Sequence, residues 1–220
     1  MPILPTLIVL ADPAAPARHM AYPASDESGH DTSGDRILND LDTLRHVLDK
    51  GLASGLNVVL VAPEHIIRPT AAVHPAVQVV GFPRRPAPDI PRADLLTLGL
   101  ASAVMASAQS PGWLLLPADM PMLQEDTLST LAQALLQYPL VIPEYRDHPG
   151  QPVGFSAEFY SELINLKTER DLLRLISRYP AKAVPVNDPG VLMSLHAPLF
   201  ASSRPTPPAS GGRPAASRPS

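Results

Sequence analysis

The chain has 220 residues, 45% of them hydrophobic and 17% charged, with a formal charge of −4. That length holds one large domain with a real core, and the weak negative charge gives no general basis for nucleic-acid binding. Cysteine is absent, which excludes disulfides, a thiolate nucleophile and Cys-ligated zinc or iron–sulfur clusters.

In chain order, Leu7–Leu10 is a short aliphatic and β-branched run that predicts a buried strand. The apolar start from Ile3 lacks a basic flank, contains Pro5 and runs into Asp12, so it does not read as an export signal. Asp12–Asp35 is polar and acidic and predicts a long loop. Asp40–Ser54 puts Leu41, Leu44, Leu48 and Leu52 at helical spacing, with Gly55 as its C-cap. Val58–Val61 and Val77–Val80 predict two more buried strands, and Asp94–Ala108 predicts a helix of small and aliphatic residues. Leu95–Ala118 carries no charge, but Gln109-Ser110-Pro111-Gly112 divides it into that helix and a strand at Trp113–Leu116. Neither piece is long enough to span a bilayer. Thr127–Gln137 predicts a helix and Leu140–Ile142 a strand, while Thr168 and Asp171 form a capping box that opens a helix through Ile176. Ala201–Ser220 has no branched aliphatic or aromatic side chain and predicts a disordered Pro/Ser/Arg-rich tail behind a domain over 1–200. No internal repeat is visible, and the expectation is a soluble, cytoplasmic protein.

This alternation predicts an α/β fold, a three-layer sandwich with a mainly parallel, Rossmann-like sheet. In such sheets ligands bind beyond the carboxyl ends of the strands, which points to the loops after Leu10 and Leu116. The second of these is the sharper. In Leu114-Leu115-Leu116-Pro117-Ala118-Asp119-Met120-Pro121 a buried strand emerges and at once presents one carboxylate, framed by prolines. Two readings are open. Asp119 is a ligand for a hard cation such as Mg2+, which takes one or two carboxylates and completes its shell with phosphates and water. Otherwise it is a turn-stabilising or helix-capping aspartate.

The segment Leu116–Leu123 resembles the metal-binding motif of the MobA-like NTP transferases, and within them most resembles the molybdenum cofactor cytidylyltransferases. The likeness continues through Val141–Tyr145, Gly150–Phe155 and Val184–Leu192, and upstream through Val9–Ala11 and the Asp40–Val61 helix–strand pair. It covers roughly residues 3–200. The resemblance implies a nucleotidyltransferase (GT-A-like) sheet that passes CMP or GMP from CTP or GTP to the phosphate of molybdopterin and releases pyrophosphate. It implies Mg2+ held by Asp119 as the catalytic residue, and nucleotide binding at Leu10, Ala11, Arg18 and Arg36. Substrate contacts fall on Gly150, Gln151, Pro152 and Asp188. Implied partners are the nucleotide, a molybdopterin-type cofactor and a molybdoenzyme or its maturation factor, with no nucleic acid and no membrane.

Several motifs depart from the family pattern. The family's first loop, Leu-Ala-Ala-Gly-x-Ser-x-Arg-Met-Gly, cradles the triphosphate because glycines let successive N–H groups face it. Here Leu10–Met20 has no glycine, and Pro13 and Pro16 have no N–H to donate. Arg18 and Met20 match the family's Arg-Met only across small insertions, and Arg36 replaces its lysine without the compact ammonium. Ser194 and His196 stand where the family has acids that complete the metal site, and imidazole is a poor Mg2+ partner. Lys167–Asp171 replaces a Gly-Asp-x-Gly-Ala-Arg helix signature, and Gln151 replaces a histidine, with His148 a second source of imidazole nearby. Trp113 reads as core, Asp188 as the start of a Pro-Gly turn as well as a substrate contact, and Arg84, Arg85, His19 and His30 as loop residues.

Three functions follow from these residues. The first is a divergent nucleotidyltransferase. The second is a catalytically degenerate family member that binds a nucleotide, cofactor or partner protein, which the altered motifs favour. The third is an unrelated α/β binding domain.

Overall fold

The computed structural model describes residues 4–11, 32–82 and 91–194. The predicted tail, Arg18, His196 and the loop prolines lie outside them. The parallel half of the sheet is built from the aliphatic runs: β1 (Thr6–Leu10), β2 (Asn57–Pro63), β3 (Gln78–Phe82) and β4 (Gly112–Pro117). Strand β1 pairs in parallel with β2 and with β4, so that Leu10 lies between Val61 and Pro117. Strand β3 adds outside β2. The other half contains β5 (Leu140–Tyr145), β6 (His148–Pro149), β7 (Val153–Ser156) and β8 (Lys182–Pro185). Here β7 runs antiparallel between β4 and β5, β6 pairs antiparallel with the end of β5, and β8 is parallel to β5. The order is β3-β2-β1-β4-β7-β5-β6, with β8 on β5. The sheet is therefore mixed but mainly parallel.

Alternation along the strands divides the core between two layers, because successive side chains point to opposite faces. Leu7, Val9, Leu114 and Leu116 pack with Leu44 and Leu48 of α1 (Thr32–Ala53) and Leu128 and Leu131 of α4 (Glu125–Leu135). Ile8, Leu10, Trp113 and Leu115 pack with Leu96 and Leu100 of α3 (Arg92–Ala106), Leu163 of α5 (Tyr160–Ile164) and Leu172 and Ile176 of α6 (Glu169–Arg178). This is the three-layer α/β sandwich. Trp113 is fully buried and its indole N–H donates to Ser107 at 2.9 Å, which makes it a core residue.

Most elements shift from the sequence reading by a few residues at their ends, and two features depart further. Helix α1 begins at Thr32, so the last residues of the expected 12–35 loop are helical. Ile37 continues the Leu41, Leu44, Leu48 spacing back by one turn, and Thr32, Ser33 and Asp35 are residues that favour a helix start. A further helix, α2 (Glu64–Val73), follows β2 directly, and its period is masked in the sequence by Pro69 and by the β-branched Ile66, Ile67, Thr70 and Val73. Gly55 follows α1 with φ +76°, as the C-cap reading expects. No helix among the described residues is long and apolar enough to cross a membrane.

Candidate functional site

The parallel register fixes the site's floor. The Leu10 carbonyl accepts from the Ala118 N–H at 2.9 Å, and the Ala11 N–H donates to Val61 at 2.9 Å. Leu10 and Ala11 are thus locked at the carboxyl end of β1, both buried, beside the end of β4. Two residues past Pro117, Asp119 leaves the sheet half-exposed. Behind it the turn is held by Lys50 of α1, whose Nζ donates to the Pro121 carbonyl at 2.6 Å.

Three distant parts of the sequence meet at this turn through one short segment, Asp188–Ser194. Asp188 is 1% exposed. Its Oδ1 accepts from the Gly190 N–H at 2.8 Å, and its Oδ2 accepts from the Gln124 N–H at 2.9 Å and the Thr127 hydroxyl at 2.8 Å. The carboxylate therefore closes the 3-10 turn Pro189–Leu192 and anchors it to the start of α4, where the helix dipole favours a negative charge. Gly190 lies flat on the Met122 backbone, and a Cβ there would fall onto the Met122 carbonyl. The Val191 carbonyl accepts from the Gln151 N–H at 2.9 Å, while Gly150 leaves room for that carbonyl where a Cβ would come within 2.5 Å. Finally, Ser194 donates its hydroxyl to Asp119 Oδ2 at 2.5 Å.

The residues expected at the site therefore have different placements. Leu10, Ala11 and Asp119 meet at the ends of β1 and β4. Gly150 and Gln151 are tied to the segment that carries Ser194. Pro152 is buried beside them, and the Gln151–Pro152 peptide is cis. Asp188 uses its oxygens on the protein's own donors, which is the turn role of an Asp-Pro-Gly sequence. Arg36 lies on α1. His148 is exposed on the β5–β6 edge, with Nδ1 2.6 Å from the Arg146 carbonyl. The altered helix signature has a structural use. Thr168 and Asp171 form the capping box of α6, and Asp94 accepts from the Glu169 N–H at 3.0 Å to join α3. The Thr168 hydroxyl, above all, holds the Asp171 carboxyl below its ordinary range, with the Thr168 and Lys167 amides and the Arg174 charge acting in the same sense. Sequence reasoning missed the Ser194 bond and Lys50. A hydroxyl 75 residues from its acceptor leaves no local pattern.

Among the described residues no three His, Cys, Asp or Glu side chains converge. The donors that do meet, the Asp119 carboxylate and the Ser194 hydroxyl, are hard oxygens of the kind Mg2+ and Mn2+ accept. A cleft of about 520 Å³ lined by Thr6, Asn57, Gln78, Met105 and Ser107 opens at the opposite end of the sheet, at the amino ends of β1 and β2. That is the end where α/β sheets seldom bind ligands.

A MobA-like NTP transferase domain matches residues 36–184, and the chain belongs to that family. No curated protein sequence matches it. Among solved structures, it resembles Rv0371c from Mycobacterium tuberculosis at 19% identity and a TM-score of 0.58, covering 84% of this chain and 89% of that one. The same protein in complex with manganese matches at 21% identity and 0.53, with 84% and 89% covered. A CMP:2-keto-3-deoxy-manno-octonic acid synthetase complexed with CTP matches at 11% and 0.54, with 82% and 89% covered. At these identities the likeness concerns the fold.

Proposed function

We propose that this protein binds a nucleoside triphosphate and a divalent cation at the carboxyl ends of β1 and β4, and transfers the nucleotidyl group to an acceptor phosphate. The observation that carries this reading is Asp119, presented at the end of β4 beside the end of β1 and bonded by Ser194. Asp119 would hold the cation, Mg2+ or Mn2+. A cation held there would supply charge neutralisation for the triphosphate and polarisation of the phosphoryl group. An oxygen of the acceptor phosphate forms the new bond to the α-phosphorus, and the bond to the bridging oxygen of the β-phosphate breaks to release pyrophosphate. The chain's own contribution is positioning, as phosphoryl chemistry requires. Leu10 and Ala11 would form the floor, and Gly150, Gln151 and Pro152, tied through Val191 to the segment that carries Ser194, would contact the substrate. By the family resemblance, Arg18 and Arg36 would supply charge for the triphosphate.

CTP is the first nucleotide to test, because a structural neighbour was solved with it, and GTP is the second. The Leu116–Leu123 and Gly150–Phe155 motifs support a molybdopterin-type acceptor, with a molybdoenzyme or its maturation factor receiving the product in the cytoplasm. A second reading, binding without turnover, is favoured by the Ser194 hydroxyl at an acid's position and by Pro13 and Pro16 in the glycine-free first loop.

Calorimetry with CTP, GTP and ATP, with and without Mg2+, tests both. Binding of CTP or GTP that requires Mg2+ is expected. Asp119→Asn should weaken it by at least the roughly 10–100-fold that even outer-shell changes cost a metal site, with the fold intact. Equal affinity in wild type and variant would remove Asp119 from the site. Pyrophosphate release with molybdopterin present selects transfer over binding alone.

A further inference from the structure

Resting on that reading of Asp119, we propose that Ser194 is the positioning residue of the cation site, holding the carboxylate in the orientation that receives a cation arriving with the nucleotide. The support is geometric. The backbone that carries Ser194 is fixed independently of Asp119. Asp188 pins one end to Gln124 and Thr127, Gly190 lies on Met122, and Val191 accepts from Gln151. The Met193 N–H then donates to the Gly190 carbonyl at 3.1 Å, one residue before Ser194. A hydroxyl delivered from so constrained a segment has little freedom. Its 2.5 Å bond to Asp119 Oδ2 is in the short range of charge-assisted O–H···O⁻ contacts.

Two consequences follow for the carboxylate. Its rotation about the Cβ–Cγ bond is restrained, so the oxygen pair is oriented before a ligand arrives and less entropy is lost on binding. A neutral hydroxyl also stands where a second acid would add charge. A site with fewer charges binds a bare cation weakly, and ligand charge count is what tunes such affinities. Phosphate oxygens of the nucleotide then provide the missing negative charge. Cation and nucleotide should therefore bind together, each strengthening the other by the same factor.

The test uses the full chain and Mn2+, whose free ion is counted by its paramagnetic resonance signal, without and with saturating CTP and, separately, GTP. Wild type should bind Mn2+ at least about tenfold more tightly with nucleotide than without it. Ser194→Ala should weaken Mn2+ binding in the ternary complex about tenfold, within the usual range for losing a group that orients a ligand, at an unchanged melting temperature. Ser194→Thr, which keeps the hydroxyl, should restore most of it. Wild-type affinity in Ser194→Ala, with Asp119→Asn still defective, overturns the role of Ser194 and leaves the Asp119 reading standing. Wild-type affinity in Asp119→Asn overturns both. A Ser194→Ala protein that melts several degrees lower and is not rescued by threonine makes the contact merely structural, which also overturns the proposal.

Discussion

Replacing Asp188 separates architecture from chemistry most sharply, because this buried carboxylate and the half-exposed Asp119 sit on the two sides of one turn. Asp188→Ala removes the acceptor for three donors. The Thr127 hydroxyl and the Gly190 N–H belong to buried residues, whereas Gln124 is exposed and its N–H can turn to water. Each stranded buried donor costs about 1–3 kcal/mol, so the variant should lose about 2–6 kcal/mol. For a domain of this size that corresponds to a drop in melting temperature of roughly 10 °C, at about 2–4 °C per kcal/mol. Asp188→Asn should cost less. Its remaining oxygen still serves Gly190, and the Thr127 hydroxyl can rotate to accept from the new amide. The expected order of destabilisation is Asp188→Ala, then Asp188→Asn, then Asp119→Asn at wild-type stability. Thermal and urea unfolding followed by circular dichroism measure all three. An Asp188→Ala protein that melts within a degree of wild type yet loses nucleotide binding would refute this assignment, and would return Asp188 to the substrate.

Two further outcomes concern parts away from the turn. Thr168→Ala should destabilise the fold by about 1 kcal/mol, the usual worth of an N-cap. Because the folded state lowers the Asp171 pKa, Asp171's stabilisation is complete above the ordinary carboxylate value and is lost as pH falls through the lower folded value. The gap between wild type and variant should therefore narrow in strong acid, and a gap that widens there in urea titrations would be contrary to the capping box. Cutting the chain after Phe200 should leave the melting temperature within about a degree, since Ala201–Ser220 offers almost no apolar surface to bury. A drop of several degrees would show that this segment docks on the domain.

Much of the fold was legible where one signal dominated. Strands β1, β2 and β4 are continuous aliphatic runs buried on both faces, and α6 announces itself through its capping box. The rule that ligands sit at the carboxyl ends of parallel strands then singled out Asp119. The second half of the sheet was harder for identifiable reasons. Strand β8 exposes Lys182, Ala183 and Pro185 and buries only Val184, so it carries no alternation. Strand β7 contains Gly154, whose missing Cβ makes room for Leu114, Leu135 and Val141. A packing need written as a glycine reads locally as a turn. The side-chain bonds that tie Asp188 and Ser194 to the Asp119 turn join residues 61 to 75 positions apart. No periodicity reports a partner at that distance.

The positions that keep the family's pattern and those that depart from it sort by the work they do here. Asp188, Gly190 and Gly150 fit the pattern, and each is required by the backbone around it. Their retention speaks for the scaffold and leaves chemistry open. Lys167–Asp171 departs from the pattern and serves as a helix cap, so that segment has a structural use here. Ser194 is the informative case. The segment carrying it is already secured by Asp188, Gly190 and the Val191–Gln151 bond. Nevertheless the hydroxyl reaches the carboxylate at 2.5 Å. A tie from an already secured segment to the acid presented beyond β4 would orient that acid as a cation ligand. The contact fits the cation reading of Asp119 whether the site transfers the nucleotide or only holds it, and the Ser194→Ala and Ser194→Thr pair separates that reading from a turn tie.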